Sequence, residues 1–257
     1  MPIADSESWL VLPTLNEALN LPRLVARVRA RSPELRILIV DDASTDGTAA
    51  LADGLARADG RIFVLHRTRP RGYGDALTAG FHRVLEGGAL AVLTMDCDFS
   101  HDPDDVRRLL AALDGAHVAI GSRYTPGGRI ADWSLSRRLL SALANAFVRI
   151  LFRLPARDCT SGFRAYRREA LERVPWGRLH SAGYSFLVEV LYWASRPDGH
   201  QVREIPICFV DRREGRSKMG LRQIVFGAAN LLKLRAQMLS ARRAPLVSRA
   251  RRSAARE

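Results

Sequence analysis

The first 122 residues alternate short, unbroken apolar runs with stretches of helical periodicity. Trp9-Leu10-Val11-Leu12, Ile37-Leu38-Ile39-Val40, Ile62-Phe63-Val64-Leu65, Leu90-Ala91-Val92-Leu93 and His117 to Gly121 read as strands. Between them lie helical patterns: Leu19, Leu21, Leu24, Val25 and Val28 on one face, then Ala49–Ala58, Asp75–Leu85 and Val106–Leu113. A strand that is apolar on both faces must be covered on both faces. Unbroken strands alternating with amphipathic helices therefore predict βαβ units, a mainly parallel sheet and an α/β fold. Such sheets bind ligands beyond the carboxyl ends of their strands, so the polar residues that follow each strand carry the functional reading.

After Arg123 the rhythm changes. Thr125-Pro-Gly-Gly-Arg129 is a loop. Trp133 to Phe152 is amphipathic, with Leu135, Leu139, Leu140, Leu143, Phe147, Ile150 and Leu151 set against Arg137, Arg138 and Arg149. The pattern alone favours a helix packed on the domain; a helix lying at a membrane surface is the sharper reading. Tyr184–Ala194 reads as helix. Val202–Val210 reads as a strand broken by Pro206, hence at a sheet edge. Leu221–Leu239 is a second amphipathic helix, and residues 240–257, with six arginines and one Glu, are a basic tail expected to be disordered.

The second strand runs into Asp41-Asp42-Ala-Ser-Thr-Asp46-Gly47-Thr48. Asp46 suits a helix N-cap; Asp41 and Asp42 are not needed for capping. The fourth strand runs into Met95-Asp96-Cys97-Asp98-Phe99-Ser100-His101. Asp96 and Asp98 are two apart, so an extended chain would point both to one side. There they could hold Mg²⁺ or Mn²⁺, hard cations that share oxygen ligands with a diphosphate. Asp102 and Asp104, flanking Pro103, fit the start of the next helix. The chain has no Gly-x-x-x-x-Gly-Lys-Ser/Thr, no Gly-x-Gly-x-x-Gly after strand one and no Gly-x-Ser-x-Gly. Those absences exclude a P-loop nucleotidase, a dinucleotide Rossmann domain and the usual α/β-hydrolase.

These pieces, in this order, resemble the inverting family 2 glycosyltransferases of GT-A fold. The carriers are Leu12-Pro13-Thr14-Leu15-Asn16-Glu17, Val40-Asp41-Asp42-Ala43-Ser44-Thr45-Asp46-Gly47-Thr48 and Asp96-Cys97-Asp98. Four further segments are similar to dolichol-phosphate (polyprenol-phosphate) mannosyltransferases: Gly121-Ser122-Arg123-Tyr124, Asp158 to Tyr166, Gly183 to Glu189 and Ile205 to Met219. The likeness runs from about residue 8 to 235 and implies one GT-A domain over 1–239. Its nucleotide half would be about 8–123 and its acceptor half about 124–239.

The resemblance implies GDP-mannose as donor, a polyprenyl monophosphate as acceptor, and polyprenyl-phosphate-β-mannose and GDP as products. Pro13, Leu15, Glu17, Val40 and Asp42 would surround guanosine. Leu15 stands where the family usually has an aromatic. Asp96, Cys97 and Asp98 would lie along the diphosphate, with Asp98 the principal metal ligand. Ser100, where the family often has Gln, would be a further one. Arg123, Arg212 and Lys218 would complete the phosphate environment, and Arg123, Arg137 and Ser141 would meet the acceptor phosphate. That phosphate is already anionic near neutral pH, so no strong general base is needed.

Charge fits this picture. The chain has 257 residues, 40 Lys+Arg against 27 Asp+Glu and a net charge of +13; Lys218 and Lys233 are its only lysines. Such an excess suits nucleic acid, an anionic membrane or a phosphorylated substrate. The basic residues outside the tail are scattered, and no helix-turn-helix, zinc finger or RNP aromatic motif is present, so nucleic acid is not the expected partner. With no apolar run of 18 residues and no secretory signal pattern, the expected location is the cytoplasmic face of a membrane, held peripherally or through a membrane-embedded partner chain. A UDP-sugar donor on the same scaffold, or a scaffold that has lost activity, are the competing readings.

Overall fold

A computed structural model of the chain describes residues 3–70, 72–179, 184–196, 201–211 and 231–236. The chain divides into two compact units, residues 1–218 and 219–257. In the second unit only 231–236 are described, and they are helical. The remainder of the helix expected at 221–239, the tail at 240–257, Arg212 and Lys218 lie outside the described residues.

In the first unit the order is β1 (Ser8–Thr14), α1 (Leu21–Arg31), β2 (Arg36–Asp41), α2 (Thr48–Ala58), β3 (Ile62–His66), α3 (Tyr73–Glu86) and β4 (Ala91–Thr94). There follow α4 (Val106–Ala112), β5 (Val118–Ser122), β6 (Arg129–Ile130), α5 (Leu135–Phe152), β7 (Arg164–Arg167), α6 (Arg168–Glu172), α7 (Tyr184–Ala194), β8 (Val202–Pro206) and β9 (Cys208–Phe209). Seven strands form one sheet in the order β3-β2-β1-β4-β7-β5-β8, and β6 pairs with β9 in a small second sheet. β3, β2, β1 and β4 are mutually parallel, as are β5 and β8.

The unbroken apolar strands behave as their composition requires. Leu10, Leu12, Ile37, Ile39 and Leu93 join one core with Leu21, Leu24, Val25 and Val28 of α1 and Leu109 of α4. On the other face α3 lies so close that a Cβ on Gly80 would stand 2.5 Å from Val11 and 3.1 Å from Val40. Each buried leucine contributes about 1.5–3 kcal/mol. Leu19, expected on the buried face of α1, falls before the helix begins and is exposed.

Two features depart from expectation. β7 was not legible: it runs antiparallel between β4 and β5, and Arg164 within it has no exposure. Its Nη1 donates to Leu187 O (2.7 Å) and Tyr166 Oη (3.2 Å) and its Nη2 to Cys159 O (2.7 Å), while Nε has no hydrogen-bond partner among the described residues. The second departure is α5. Asn145, Val148 and Phe152 face inward, but Leu135, Leu139, Leu143 and Ile150 are 59–81% exposed. The helix is not packed on the domain through its apolar stripe; it presents that stripe to solvent. No described helix is long and apolar enough to cross a membrane. Pro206 ends β8 at the sheet edge, as read from the sequence.

Candidate active site

The chain moves outward from β1 to β2 and β3, then crosses back to β4 on the other side of β1. Strand order reverses at β1/β4, the place where α/β sheets open a crevice for ligands. Pro13–Glu17 leave β1 there, and Met95–Ser100 leave β4 beside them.

The loops after β1 and β2 are stitched together. Asn16 N donates to Ser44 Oγ (2.9 Å), Thr45 N to Asn16 Oδ1 (2.9 Å), Glu17 N to Thr48 Oγ1 (2.9 Å) and Ala18 N to Asp46 Oδ2 (3.0 Å). Asn16 and Ala43 take positive φ (60° and 61°), which the sharp exits require. Asp46 Oδ1 also accepts from Thr48 N and Oγ1, so this acid ties the start of α2 to the β1 exit. Its slight burial favours the neutral form, but these donors prevail and hold its pKa below the usual carboxylate value. Leu15 is left half exposed beside Pro13, while Val40 and Asp42 are buried. Asp42 accepts from Gly72 N (2.8 Å) and pairs with Arg67 (2.8 Å).

Asp96 lies just beyond the end of β4 and Asp98 in the bend that follows, so they are not part of an extended strand. Other contacts orient them. Asp98 Oδ1 accepts from Ser100 N (3.0 Å). Asp96 shares a tight space with the Tyr73 hydroxyl: a Cβ on Gly162 would stand 2.6 Å from that hydroxyl and 3.4–3.5 Å from both Asp96 oxygens. Burial, then the Asp96 charge, raises the Tyr73 pKa well above its ordinary value, so the phenol stays protonated and can donate.

Cys97 is buried between the acids. Burial first, then the charges of Glu17, Asp98 and Asp96, push its thiol pKa far up, so it offers no nucleophile. His101 is buried, stacks on Phe163 at 5.0 Å and meets Phe209 edge-on at 5.5 Å. Burial lowers its pKa; it is a neutral packing group.

A divalent cation suits this donor set. The ligands available are hard oxygens, and buried Ser100 Oγ has no hydrogen-bond partner among the described residues. No three His, Cys, Asp or Glu side chains converge as a metal cluster among the described residues.

The region from Arg123 to Asp211 is built differently. Arg123, just past β5, places Nε and Nη2 each 2.7 Å from the two oxygens of Asp158 and donates from Nη2 to Thr160 Oγ1 (2.8 Å). Its side chain is 8% exposed, Asp158 not at all, and the guanidinium lies near the rings of Tyr124, Trp133 and Phe209. Burial alone would raise the Asp158 pKa. Arg123, by charge and hydrogen bonds, together with the more distant Arg164, reverses that and holds it low. Arg137 on α5 lies over Trp133 (3.9 Å) and pairs with Asp211, the last described residue before Arg212. Ser141, one turn on, accepts from Tyr124 Oη (2.7 Å). Val210 N donates to Ser100 O (3.1 Å), so Val210 stands beside the acidic loop.

In the sequence Asp158 and Thr160 stand within a segment of the resemblance but have no assigned task, and Arg67, Tyr73 and Asn145 are unmarked. Only Asp158, an acid within the Asp158–Tyr166 resemblance, carried a signal.

A GT-A-type sheet with acids at its β1/β4 switch point defines a class, and the family model agrees. Residues 9–174 match the glycosyl transferase family 2 model, and the chain belongs to that family. It is 45% identical over 225 residues to polyprenol monophosphomannose synthase of Mycolicibacterium smegmatis (86% of this chain, 84% of the relative). It is 42% identical over 209 residues to undecaprenyl-phosphate mannosyltransferase of Micrococcus luteus (81% and 86%). Among solved structures, glucosyl-3-phosphoglycerate synthase of Mycobacterium tuberculosis with Mn²⁺, UDP and phosphoglyceric acid superposes with a TM-score of 0.63 at 19% identity, covering 89% of this chain and 78% of that one. A Pyrobaculum calidifontis mannosyltransferase with GDP-Man and Mn²⁺ gives 0.54 at 17% identity (84% and 60%). At such identities the structural likeness speaks for the fold.

Proposed function

We propose that the chain transfers mannose from GDP-mannose to a polyprenyl monophosphate, with inversion, giving polyprenyl-phosphate-β-mannose and GDP. One observation carries the reading: an acidic loop at the sheet's switch point stands in the same unit as a helix that bears Arg137 and Ser141 and exposes an apolar stripe. A soluble acceptor needs no such stripe. A lipid phosphate needs an apolar approach ending at cations. The two mannosyltransferase relatives support the sugar and the lipid.

In this reading Pro13, Leu15, Glu17, Val40 and Asp42 receive the nucleoside. Aliphatic Leu15, half exposed, contacts the base. Asp96, Asp98 and Ser100 would hold Mg²⁺ or Mn²⁺. The bound cation would offset the charge that develops on departing GDP. Cys97 contributes backbone only, since its thiol stays protonated. Arg212 and Lys218 bring positive charge to the same phosphates, and Arg123 is the cation at the β5 exit, its charge shared with Asp158. Arg137 and Ser141 orient the acceptor phosphate for attack on the sugar face opposite the diphosphate. An oxygen that is already ionised makes a base superfluous; the Cys97 thiol stays protonated, and His101 is enclosed between Phe163 and Phe209. The protein works peripherally at the cytoplasmic face of the membrane, α5 against the lipid.

The test is a donor panel with full-length protein and polyprenyl phosphate, with and without a chelator, the product anomer read by NMR. Release of GDP that requires both the lipid phosphate and a divalent cation, with a β-mannosyl product, is the expected result. Turnover of UDP-glucose or UDP-N-acetylglucosamine but not GDP-mannose would overturn the donor.

A further inference from the structure

Asn145 is buried on the inner face of α5, a helix whose outer face is a run of exposed leucines. An asparagine in a helix interior is unfavourable by propensity, because its amide competes for backbone groups, and packing alone would be served better by leucine. Here every polar atom of the side chain is engaged. Nδ2 donates to Ser141 O (3.0 Å) and to Thr160 Oγ1 (3.2 Å), and Oδ1 accepts from Cys159 N (2.9 Å). Thr160 Oγ1 accepts in turn from Arg123 Nη2 (2.8 Å). Tyr124, next to Arg123, reaches α5 through Ser141 Oγ (2.7 Å). One buried amide thus ties α5 to the 158–161 segment and, through Thr160, to the exit of β5.

The rest of the inner face is thin. Besides Asn145, only Val148 and Phe152, in the last turns of α5, are buried. The first turns, which carry Arg137 and Ser141, have no buried apolar side chain to fix their rotation. With a helix radius of about 5–6 Å including side chains, a roll of about 20° would move a side-chain tip by about 2 Å. That exceeds the tolerance of a hydrogen bond.

We propose that Asn145 is a positioning residue for the acceptor site: through Thr160 it fixes the rotation of α5 so that Arg137 and Ser141 meet the same anion. The inference rests on the reading of α5 as the helix that receives a lipid phosphate. It adds a residue outside the phosphate's own contacts, and it predicts a selective kinetic defect.

The experiment uses full-length protein with GDP-mannose and polyprenyl phosphate in detergent micelles. Thr160→Val is isosteric and removes the hydroxyl that joins Asn145 to Arg123; Asn145→Ala removes the amide. Both should raise the acceptor KM by about tenfold, leaving donor KM and calorimetric GDP affinity unchanged. Thr160→Ser, which restores the hydroxyl, should return the acceptor KM to within about twofold of wild type. An unchanged acceptor KM in Thr160→Val overturns the proposal, as does a parallel rise in donor and acceptor KM. Should Asn145→Ala fail to fold, Thr160→Val and its serine rescue decide. Wild-type protein that binds GDP yet shows no lipid-dependent transfer would remove the acceptor reading and this inference with it. Active wild type with unaffected variants would remove only the inference.

Discussion

The two halves of the sheet unit hold their charged residues by opposite means. From β1 to β4, Asp41, Asp46 and Asp98 stand at or after the ends of strands whose apolar neighbours do the folding, and short loop hydrogen bonds aim them; Asp42, buried against Arg67, is an exception. From Arg123 to Asp211, charge is part of the folding itself: Asp158 has no exposure, Arg164 has none, and Arg123 is sealed among aromatic rings. Removing Asp98 from the first half should therefore cost chemistry, and removing Asp158 from the second should cost the fold.

Asp158→Ala should give the largest effect on stability. It leaves Arg123 buried without its counter-charge, a loss of about 3–5 kcal/mol, read as a lower urea midpoint at unchanged m-value. The pH dependence follows from the lowered Asp158 pKa. Its stabilisation is fully present above the unfolded carboxyl value near pH 4 and disappears as pH falls through the lower folded value. Asp158→Asn, less stable at neutral pH, should lack that acid-limb loss. Asp98→Ala should do the reverse of Asp158→Ala: stability within about 0.5 kcal/mol of wild type, and transfer reduced on the order of 10²–10³-fold. Equal loss of stability in both variants would break the contrast.

The exposed face of α5 sharpens it further. Leu139→Ser with Leu143→Ser removes two residues that are 63% and 59% exposed, so folding should be unaffected. Binding to anionic vesicles should weaken by at least about tenfold, since a leucine taken fully out of water contributes roughly 1.5–3 kcal/mol. Vesicle binding equal to wild type would show that the stripe meets something other than lipid.

The same division explains what could be read in advance. The parallel strands and their helices were legible because their signal is local: four apolar residues, then a helical period, then an acid. β7 was not, because Arg164-Ala-Tyr-Arg167 has the charge of a loop, and its burial depends on carbonyls of Cys159 and Leu187, the latter 23 residues away. The Arg123–Asp158 pair spans 35 residues, and the Asn145–Thr160 contact 15. Neither distance leaves a periodic trace. α5 was legible as amphipathic, but periodicity cannot say which face turns inward. That was decided by Asn145, Val148 and Phe152, whose partners lie elsewhere in the chain.

The smallest predicted effect concerns Asp46, an acid of the first half whose work is structural. It stands four residues after Asp42, in the same acidic run, but its oxygens are occupied by Ala18 N, Thr48 N and Thr48 Oγ1. It links the β1 exit to the start of α2 and leaves Gly47, at φ 96°, to make the turn. Asp46→Ala should cost about 1 kcal/mol of stability, the usual loss for a side chain that caps backbone N–H groups. Because the link also sets the spacing of Leu15 and Glu17 from Asp42, donor KM should rise by about two- to fivefold with kcat nearly unchanged. Asp46→Asn keeps one amide oxygen as acceptor and should recover part of both losses. A fall in kcat as large as that of Asp98→Ala would instead move Asp46 into the diphosphate site, and the boundary between stitching acids and reacting acids would have to be redrawn one loop earlier.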